Sequence, residues 1–142
     1  MSATLLHAEY PVEAEDYTRA GEASADIKRK LKQLGVPASV LRRVSVASYE
    51  VELNLVIHSD GGMLTLEVTP EAVRLISADR GPGIPDLDLA MREGWSTASE
   101  TARSLGFGAG MGLPNMKRNA DDFSITSEVG RGTTIDMGFN LA

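Results

Sequence analysis

The sequence predicts an α+β fold, a two-layer α/β sandwich in which helices cover one face of a mixed, mostly antiparallel sheet. Helical periodicity dominates the chain from Glu13 to His58. Two pairs of alternating segments follow, within 63–78 and 123–139, and a short turn joins each pair. The chain shows no strand–helix–strand alternation of the kind that builds a parallel sheet. With a length of 142 residues, which is typical of a single domain, we expect residues 1–142 to form one domain.

The elements of the first half are a short strand and two helices. Leu5 to Val12 is a short apolar segment that we expect at the edge of the sheet. A helical pattern runs from Glu13 to Leu34 and stops at Gly35-Val36-Pro37, since glycine ends helices and proline cannot continue them. The next helix extends from about Ser39 to His58. Its expected core stripe consists of Val40, Val44, Ala47, Val51 and Leu55.

A second row on this helix sets two polar residues among apolar ones. Glu50 and Asn54 lie four residues apart and therefore share a face. Apolar neighbours on both sides would desolvate them at a cost, which favours a functional role over simple solvation. Glu52 is rotated by about 200° from Glu50, and we expect it on the solvated side. The apolar members of the row are Val46, Leu53 and Ile57.

Two strand hairpins make up most of the second half. Met63 to Thr69 alternates with period two, and Ala72 to Ala78 forms the second strand of its hairpin. This strand runs into Asp79-Arg80-Gly81-Pro82-Gly83-Ile84-Pro85, whose glycines and prolines predict a rigid loop. Phe123 to Glu128 and Thr133 to Phe139 also alternate, and we expect Gly130 to Gly132 to join them as a hairpin.

The most unusual stretch is Gly106-Phe107-Gly108-Ala109-Gly110-Met111-Gly112, directly followed by a predicted helix at Pro114 to Ala120. Without a Cβ, glycine lets backbone N–H groups approach a ligand closely. A helix N-terminus adds free N–H groups and the positive end of a dipole. The pattern predicts an anion cradle, which we expect to bind phosphates.

Two other interpretations of this stretch fit less well. A flexible linker would be richer in Ser, Glu or Lys than in Phe, Met and Leu. A dinucleotide-binding fingerprint would directly follow a hydrophobic strand. Here the preceding segment, Ser96 to Thr101, is polar.

Composition narrows the class of protein. A net charge of −6 argues against a nucleic-acid partner, because phosphate backbones attract basic surfaces. The chain has no cysteine, which excludes disulfides and cysteine-rich zinc sites. Its N-terminus lacks the basic start and apolar core of a signal peptide, and no apolar run approaches the roughly 20 residues of a membrane span. We expect a cytoplasmic protein without a membrane partner.

Four motifs in a fixed order resemble the N, G1, G2 and G3 boxes of the GHKL ATPase superfamily, which includes gyrases, heat-shock chaperones, histidine kinases and mismatch-repair proteins. They are Glu50…Asn54, Asp79-Arg80-Gly81-Pro82-Gly83, the stretch from Gly106 to Gly112, and Gly130-Arg131-Gly132-Thr133-Thr134. One such box is a weak signal, whereas four in order are specific. The resemblance implies the Bergerat, or GHKL ATPase, fold.

Within the superfamily, the chain looks most like the small stand-alone anti-sigma serine/threonine kinases, especially stressosome switch kinases of the RsbT-like type. The likeness lies in residues 79–86, in Ala90-Met91-Arg92-Glu93-Gly94-Trp95-Ser96-Thr97, and in Gly110-Met111-Gly112-Leu113-Pro114-Asn115-Met116-Lys117-Arg118. The stretch between Thr97 and Gly106 is longer than we expect for a switch kinase. Leu53 also stands where a basic residue is expected.

The resemblance implies a role for each box. Glu50 is the candidate general base, and Asn54 would offer its amide oxygen to Mg²⁺. Asp79 would accept a hydrogen bond from the adenine amino group, and Thr133 would form a hydrogen bond beside it. Residues 86–105 would form a lid that is ordered by nucleotide. The residues expected to contact ATP are Asn54, Asp79, Gly81, Gly83, Ile84, Gly106, Gly108, Gly110, Met111, Gly112 and Thr133.

The activity implied by the resemblance is an ATP- and Mg²⁺-dependent protein kinase. It would phosphorylate Ser or Thr on a STAS-domain regulatory partner or another sigma-regulatory protein, as a monomer or a homodimer. A second hypothesis is a nucleotide-gated module that sequesters a partner, with incidental turnover. A histidine-kinase catalytic fragment is disfavoured, because no upstream helical hairpin carries a phospho-accepting histidine.

Overall fold

The computed structural model describes residues 4–81, 83–84, 91 and 112–141. Its elements are β1 (Leu6–Val12), α1 (Glu22–Gln33), α2 (Ala38–His58), β2 (Gly62–Val68), β3 (Ala72–Asp79), α3 (Gly112–Asn119), β4 (Asp122–Glu128) and β5 (Gly132–Asn140). Within these ranges, none of the helices combines the length and the apolar character needed to cross a bilayer.

The strands form a five-stranded sheet in the order β1-β2-β3-β5-β4, and each pairing between described neighbours is antiparallel. Buried side chains of the three helices and of alternate strand positions belong to one hydrophobic cluster. Leu66 and Leu75, which are opposite each other on β2 and β3, contribute to this cluster together with Leu55 of α2. The predicted α+β class and the edge position of the first strand are confirmed.

Helix α1 begins later than the sequence pattern indicated. Residues 13–21 form turns, and the helix starts at Glu22 rather than at Glu13. Glu15 and Gly21 have φ angles of 61° and 100°, which a continuous right-handed helix excludes. The predicted stop is confirmed, because the N–H of Gly35 bonds to the carbonyl of Lys32 at 3.1 Å and the helix ends in a left-handed glycine.

The core stripe of α2 is confirmed, whereas the row beside it is more exposed than predicted. All five stripe residues from Val40 to Leu55 are buried. Val46 of the second row is 37% exposed, and Leu53 and Ile57 are only partly buried. The row is therefore less buried than the stripe, and Glu50 and Asn54 within it are partly buried.

Glu52 was predicted on the solvated side of α2, and the structure contradicts this. Its side chain is only 2% exposed. The carboxylate accepts the N–H groups of Gly21 at 3.0 Å, Ala23 at 3.1 Å and Ser24 at 2.9 Å. These donors lie at the N-terminus of α1, which has no capping side chain of its own. Glu52 is buried because that side of α2 faces α1.

We expect Glu52→Gln to lower the free energy of unfolding by about 1–3 kcal/mol, because the amide has one acceptor oxygen and would turn a donor towards N–H groups. Urea unfolding followed by circular dichroism measures the loss. The matched control is Glu22→Gln in the first turn of the same helix, where the side chain is 66% exposed. It should change stability by about 0.5 kcal/mol or less. Equal effects of the two substitutions would contradict the capping role.

Candidate nucleotide site

The site begins where β3 ends. The backbone N–H of Thr133, on β5, donates to Oδ1 of Asp79 at 2.9 Å. Thr133 is only 7% exposed. The two residues therefore form one hydrogen-bonded pair, and the carboxylate retains lone pairs for a further donor.

The electrostatics of Asp79 differ from those of a surface aspartate. Burial raises the pKa of the Asp79 carboxyl, the N–H of Thr133 partly opposes this, and the nearby negative charge of Asp60 adds to the rise. A desolvated carboxylate of this kind forms a strong hydrogen bond with a donor that replaces the lost water.

The loop after β3 is docked on the hairpin formed by β4 and β5. The N–H of Gly81 bonds to the carbonyl of Arg131 at 3.3 Å, and the N–H of Ile84 bonds to Oγ of Ser127 at 2.7 Å. Gly83 has a φ of 75°, and a Cβ there would lie 2.5 Å from the carbonyl oxygen of Glu128. Only glycine fits this position, since both the backbone angle and the space exclude a side chain.

The second part of the site lies between α2 and α3. A Cβ placed on Gly112 would lie 3.3 Å from Oδ1 of Asn54 and 3.4 Å from Oε2 of Glu50. Both oxygens therefore point at the N-terminus of α3. Because Gly112 has no side chain, this N-terminus is open. Nδ2 of Asn115 donates to the other carboxylate oxygen of Glu50, Oε1, at 3.3 Å.

Helix α2 connects the two parts of the site. Gly81 packs against its C-terminal end, where a Cβ would lie 3.3 Å from Cα of Ser59. Glu50 and Ser59 are nine residues apart, which corresponds to about 13–14 Å along a helix. The site is therefore elongated, with the Asp79 pair at one end and the oxygens of Glu50 and Asn54 at the other.

The donor set at Gly112 fits Mg²⁺ and phosphate. Mg²⁺ takes oxygen ligands, and only one or two of them usually come from the protein. The amide oxygen of Asn54 supplies such a ligand, and the carboxylate of Glu50 stands beside it. Free N–H groups at the start of α3 would favour a phosphate at the same place.

Part of the predicted site lies outside the described residues. These predictions concern the phosphate-binding residues Gly106, Gly108, Gly110 and Met111, and the expected lid at 86–105 with the exception of Met91. Met91 itself packs against the hydrophobic core.

Sequence reasoning missed two residues that contact the predicted site. Ser127 lies on the inward face of β4 together with Phe123 and Ile125. A hydroxyl-bearing residue in this otherwise apolar row was the sequence signal that could have identified it. Asn115 lies three residues after Gly112 and shares its helix face. Neither residue belongs to the four motifs used in the prediction.

Residues 23–142 match the family model described as histidine kinase-, DNA gyrase B-, and HSP90-like ATPase. The chain belongs to this ATPase family. The chain is 33% identical to the serine/threonine-protein kinase RsbT of Bacillus subtilis (strain 168) over 108 residues, which are 73% of this chain and 75% of RsbT.

Two anti-sigma F factors are similar to this chain to a comparable degree. The protein from Bacillus licheniformis is 34% identical over 118 residues, 79% of this chain and 77% of that protein. The protein from Geobacillus stearothermophilus is 31% identical over 109 residues, 72% of this chain and 71% of that protein. The resemblance inferred from the four motifs is thus confirmed.

Proposed function

We propose that this protein is an ATP-dependent serine/threonine kinase of the switch-kinase or anti-sigma type. The observation that carries the proposal is the convergence of Glu50 Oε2 and Asn54 Oδ1 on the N-terminus of α3 at Gly112. A candidate base and a candidate metal ligand thereby converge on one point, at the other end of the site from Asp79.

The base-binding end uses the Asp79 pair. The Asp79 carboxylate would accept a hydrogen bond from the adenine amine, and its burial would strengthen that bond. Thr133 bonds beside it, and Ile84 supplies an apolar neighbour for the ring. The docked loop holds these groups in place before the nucleotide binds, which lowers the entropic cost of binding.

The phosphate end positions the acceptor. Asn54 would hold Mg²⁺, which when bound neutralises charge on the phosphates. Glu50 orients the Ser or Thr hydroxyl of the partner and takes its proton as the new oxygen–phosphorus bond forms and the bond to ADP breaks. Asn115 occupies Oε1 of Glu50, so Oε2 is the oxygen directed to the reaction.

The similar proteins support the kinase type. One is named a serine/threonine-protein kinase, and others are named anti-sigma F factors. We extend this to a STAS-domain partner because the segments 90–97 and 110–118 resemble those of switch kinases. A nucleotide-gated module that binds a sigma-regulatory protein is the second candidate, favoured by the anti-sigma names at comparable identity.

A transfer assay separates the two candidates. The protein is incubated with γ-labelled ATP, Mg²⁺ and each candidate STAS-domain protein, and the labelled residue is identified by mass spectrometry. We expect label on Ser or Thr, and labelling at least about a hundredfold slower when Glu50→Gln replaces the wild type. A stable ATP-dependent complex without label would support the binding module instead. Absence of both label and complex with every candidate would contradict the proposed partner class.

A further inference from the structure

Helix α2 carries apolar side chains on its solvent side as well as on its core side. Arg42, Val46, Tyr49 and Leu53 follow one another at spacings of four, three and four residues and therefore share one face. Val46 is 37% exposed and Tyr49 is 41% exposed, whereas Leu53 is partly buried. We call these four residues the outer face of α2. Its three apolar members form a continuous row, unlike the single exposed apolar residues that most protein surfaces carry.

The outer face borders the candidate general base. Val46 lies four residues before Glu50 and Leu53 lies three residues after it, so both flank Glu50 on the surface of the helix. On its other side, Glu50 contacts Asn115 of α3. A protein that presents a Ser or Thr hydroxyl to Glu50 would therefore rest on the outer face.

Tyr49 is the largest side chain of the outer face, and its ring is supported from below. A Cβ placed on Gly21 would lie 3.5 Å from Cε1 of Tyr49, so the ring packs on the turn that precedes α1. An aromatic side chain that is already packed loses little conformational entropy when a partner covers it. Tyr and Arg are also the residue types that most often dominate the binding energy of an interface. Tyr49 and Arg42 are therefore the expected anchors of a bound partner.

The charge around the outer face indicates the chemistry of that partner. The three helices carry eight of the 14 Lys and Arg residues of the chain, but only four of its 20 Asp and Glu residues. Of these four acids, Glu52 is buried and Asp26 is ion-paired within α1. Within the part of the chain that the structure describes, the exposed Lys28, Lys32 and Arg42 form no ion pair with a carboxylate. The helix layer is thus basic, although the chain as a whole has a net charge of −6.

We propose that the outer face of α2 is the docking surface for the protein that accepts the phosphoryl group, and that this partner presents an acidic surface with apolar side chains beside its Ser or Thr. The inference rests on the proposed kinase function and adds where the partner binds. Apolar contacts with Val46, Tyr49 and Leu53 supply affinity, and the complementary charges steer and orient the partner. Leu53, which stands where the family resemblance implies a basic residue, extends the apolar row.

The first test measures transfer to the STAS-domain protein that accepts label in the transfer assay. At saturating Mg-ATP, Tyr49→Ala should raise the KM for that protein by about ten- to thirtyfold with kcat nearly unchanged. The affinity for ATP, measured by calorimetry, should stay within about twofold, which also shows that the variant is folded. The matched control is Leu5→Ala, at a residue that precedes β1 and is 53% exposed, and it should leave both quantities unchanged. An unchanged KM in Tyr49→Ala would overturn the inference.

Two substitutions of Arg42 test the charge of the partner. Arg42→Gln removes the positive charge, and Arg42→Glu reverses it with a side chain of nearly the same shape. Against an acidic partner, Arg42→Glu should raise the KM for the STAS-domain protein at least about threefold more than Arg42→Gln does. The difference should shrink as the salt concentration rises from about 50 to about 300 mM. Equal KM values for the two variants would overturn the acidic character of the partner.

Cross-linking locates the partner without removing the contact. The photoreactive residue p-benzoylphenylalanine replaces Tyr49 in one variant and Leu5 in another, and each is irradiated with the same STAS-domain protein and Mg-ATP. We expect a covalent product from position 49 only. No product from position 49, or a product that joins two copies of this chain, would overturn the inference and leave the proposed function intact. Absence of label on every STAS-domain candidate would contradict the proposed function itself.

Discussion

Glu50→Gln is expected to lower the rate of phosphoryl transfer by about two to four orders of magnitude. Glutamine has nearly the same shape and can still accept the N–H of Asn115, but its amide cannot take a proton from the acceptor hydroxyl. The affinity for Mg-ATP should stay within about twofold, because the lost step is made only in the transition state. Single-turnover transfer and equilibrium binding measure the two quantities separately.

Substitution of the neighbouring amide residue, Asn54, should affect the binding of Mg-ATP, and it serves as the contrast to Glu50→Gln. Asn54→Ala removes the proposed Mg²⁺ ligand, so the binding of Mg-ATP should weaken.

Glu71→Gln, in the exposed turn between β2 and β3, is a charge-matched control for Glu50→Gln. A transfer rate near that of the wild type in Glu50→Gln would mean that another group, or none, acts as the base.

Asp79→Asn is expected to weaken ATP binding by about five- to thirtyfold, because the amide keeps an acceptor oxygen but loses the charge assistance. Asp79→Ala should lose more, since no acceptor remains. The asparagine substitution is not expected to disrupt the pair with Thr133, because an amide oxygen can accept the same N–H. Calorimetry with ATP measures the loss, and unchanged affinity in Asp79→Ala would contradict the assignment.

In contrast to its affinity for ATP, the stability of the Asp79→Asn variant should be unchanged or higher. The folded-state pKa of Asp79 is raised by burial. The folded state therefore binds more protons than the unfolded state between the ordinary value, about 3.9, and the raised one. The free energy of unfolding falls as pH rises through this window, and the cost persists at pH 7. Asp79→Asn lacks the charge, so thermal unfolding without nucleotide should occur at the same or a higher temperature. Parallel loss of stability and binding would indicate misfolding instead.

The sequence motifs predicted the features that depend only on residues close together in the chain. The spacing of Glu50 and Asn54 places both on one helix face wherever the helix docks, so their common orientation follows from four residues of sequence. The position of Glu52 depends instead on which neighbour covers its side of α2. That neighbour is α1, and the signal in the sequence was the row of Ser48, Glu52 and Val56 at spacings of four, all of which are buried.

The limits of the other predictions have similar physical causes. The residues from Glu13 onward follow a helical pattern. The left-handed backbone at Glu15 and Gly21, however, depends on contacts with distant parts of the chain, which the periodicity of a sequence does not show. The N–H of Glu15, for example, bonds to the carbonyl of Val56 at 2.8 Å. Ser127 and Asn115 were missed because their partners, Thr133 and Glu50, lie on other elements of the fold.

The contacts of Glu52 also bear on how the helix layer assembles. The first amides of α1 find their acceptor 28 to 31 residues later in the chain. Nucleating a helix is costly even when its first turn is capped locally. Without α2 in place, α1 lacks that cap and should remain frayed, so the two helices gain order together as one cooperative unit. The helix that carries the candidate catalytic carboxylate is therefore also the one that completes its neighbour.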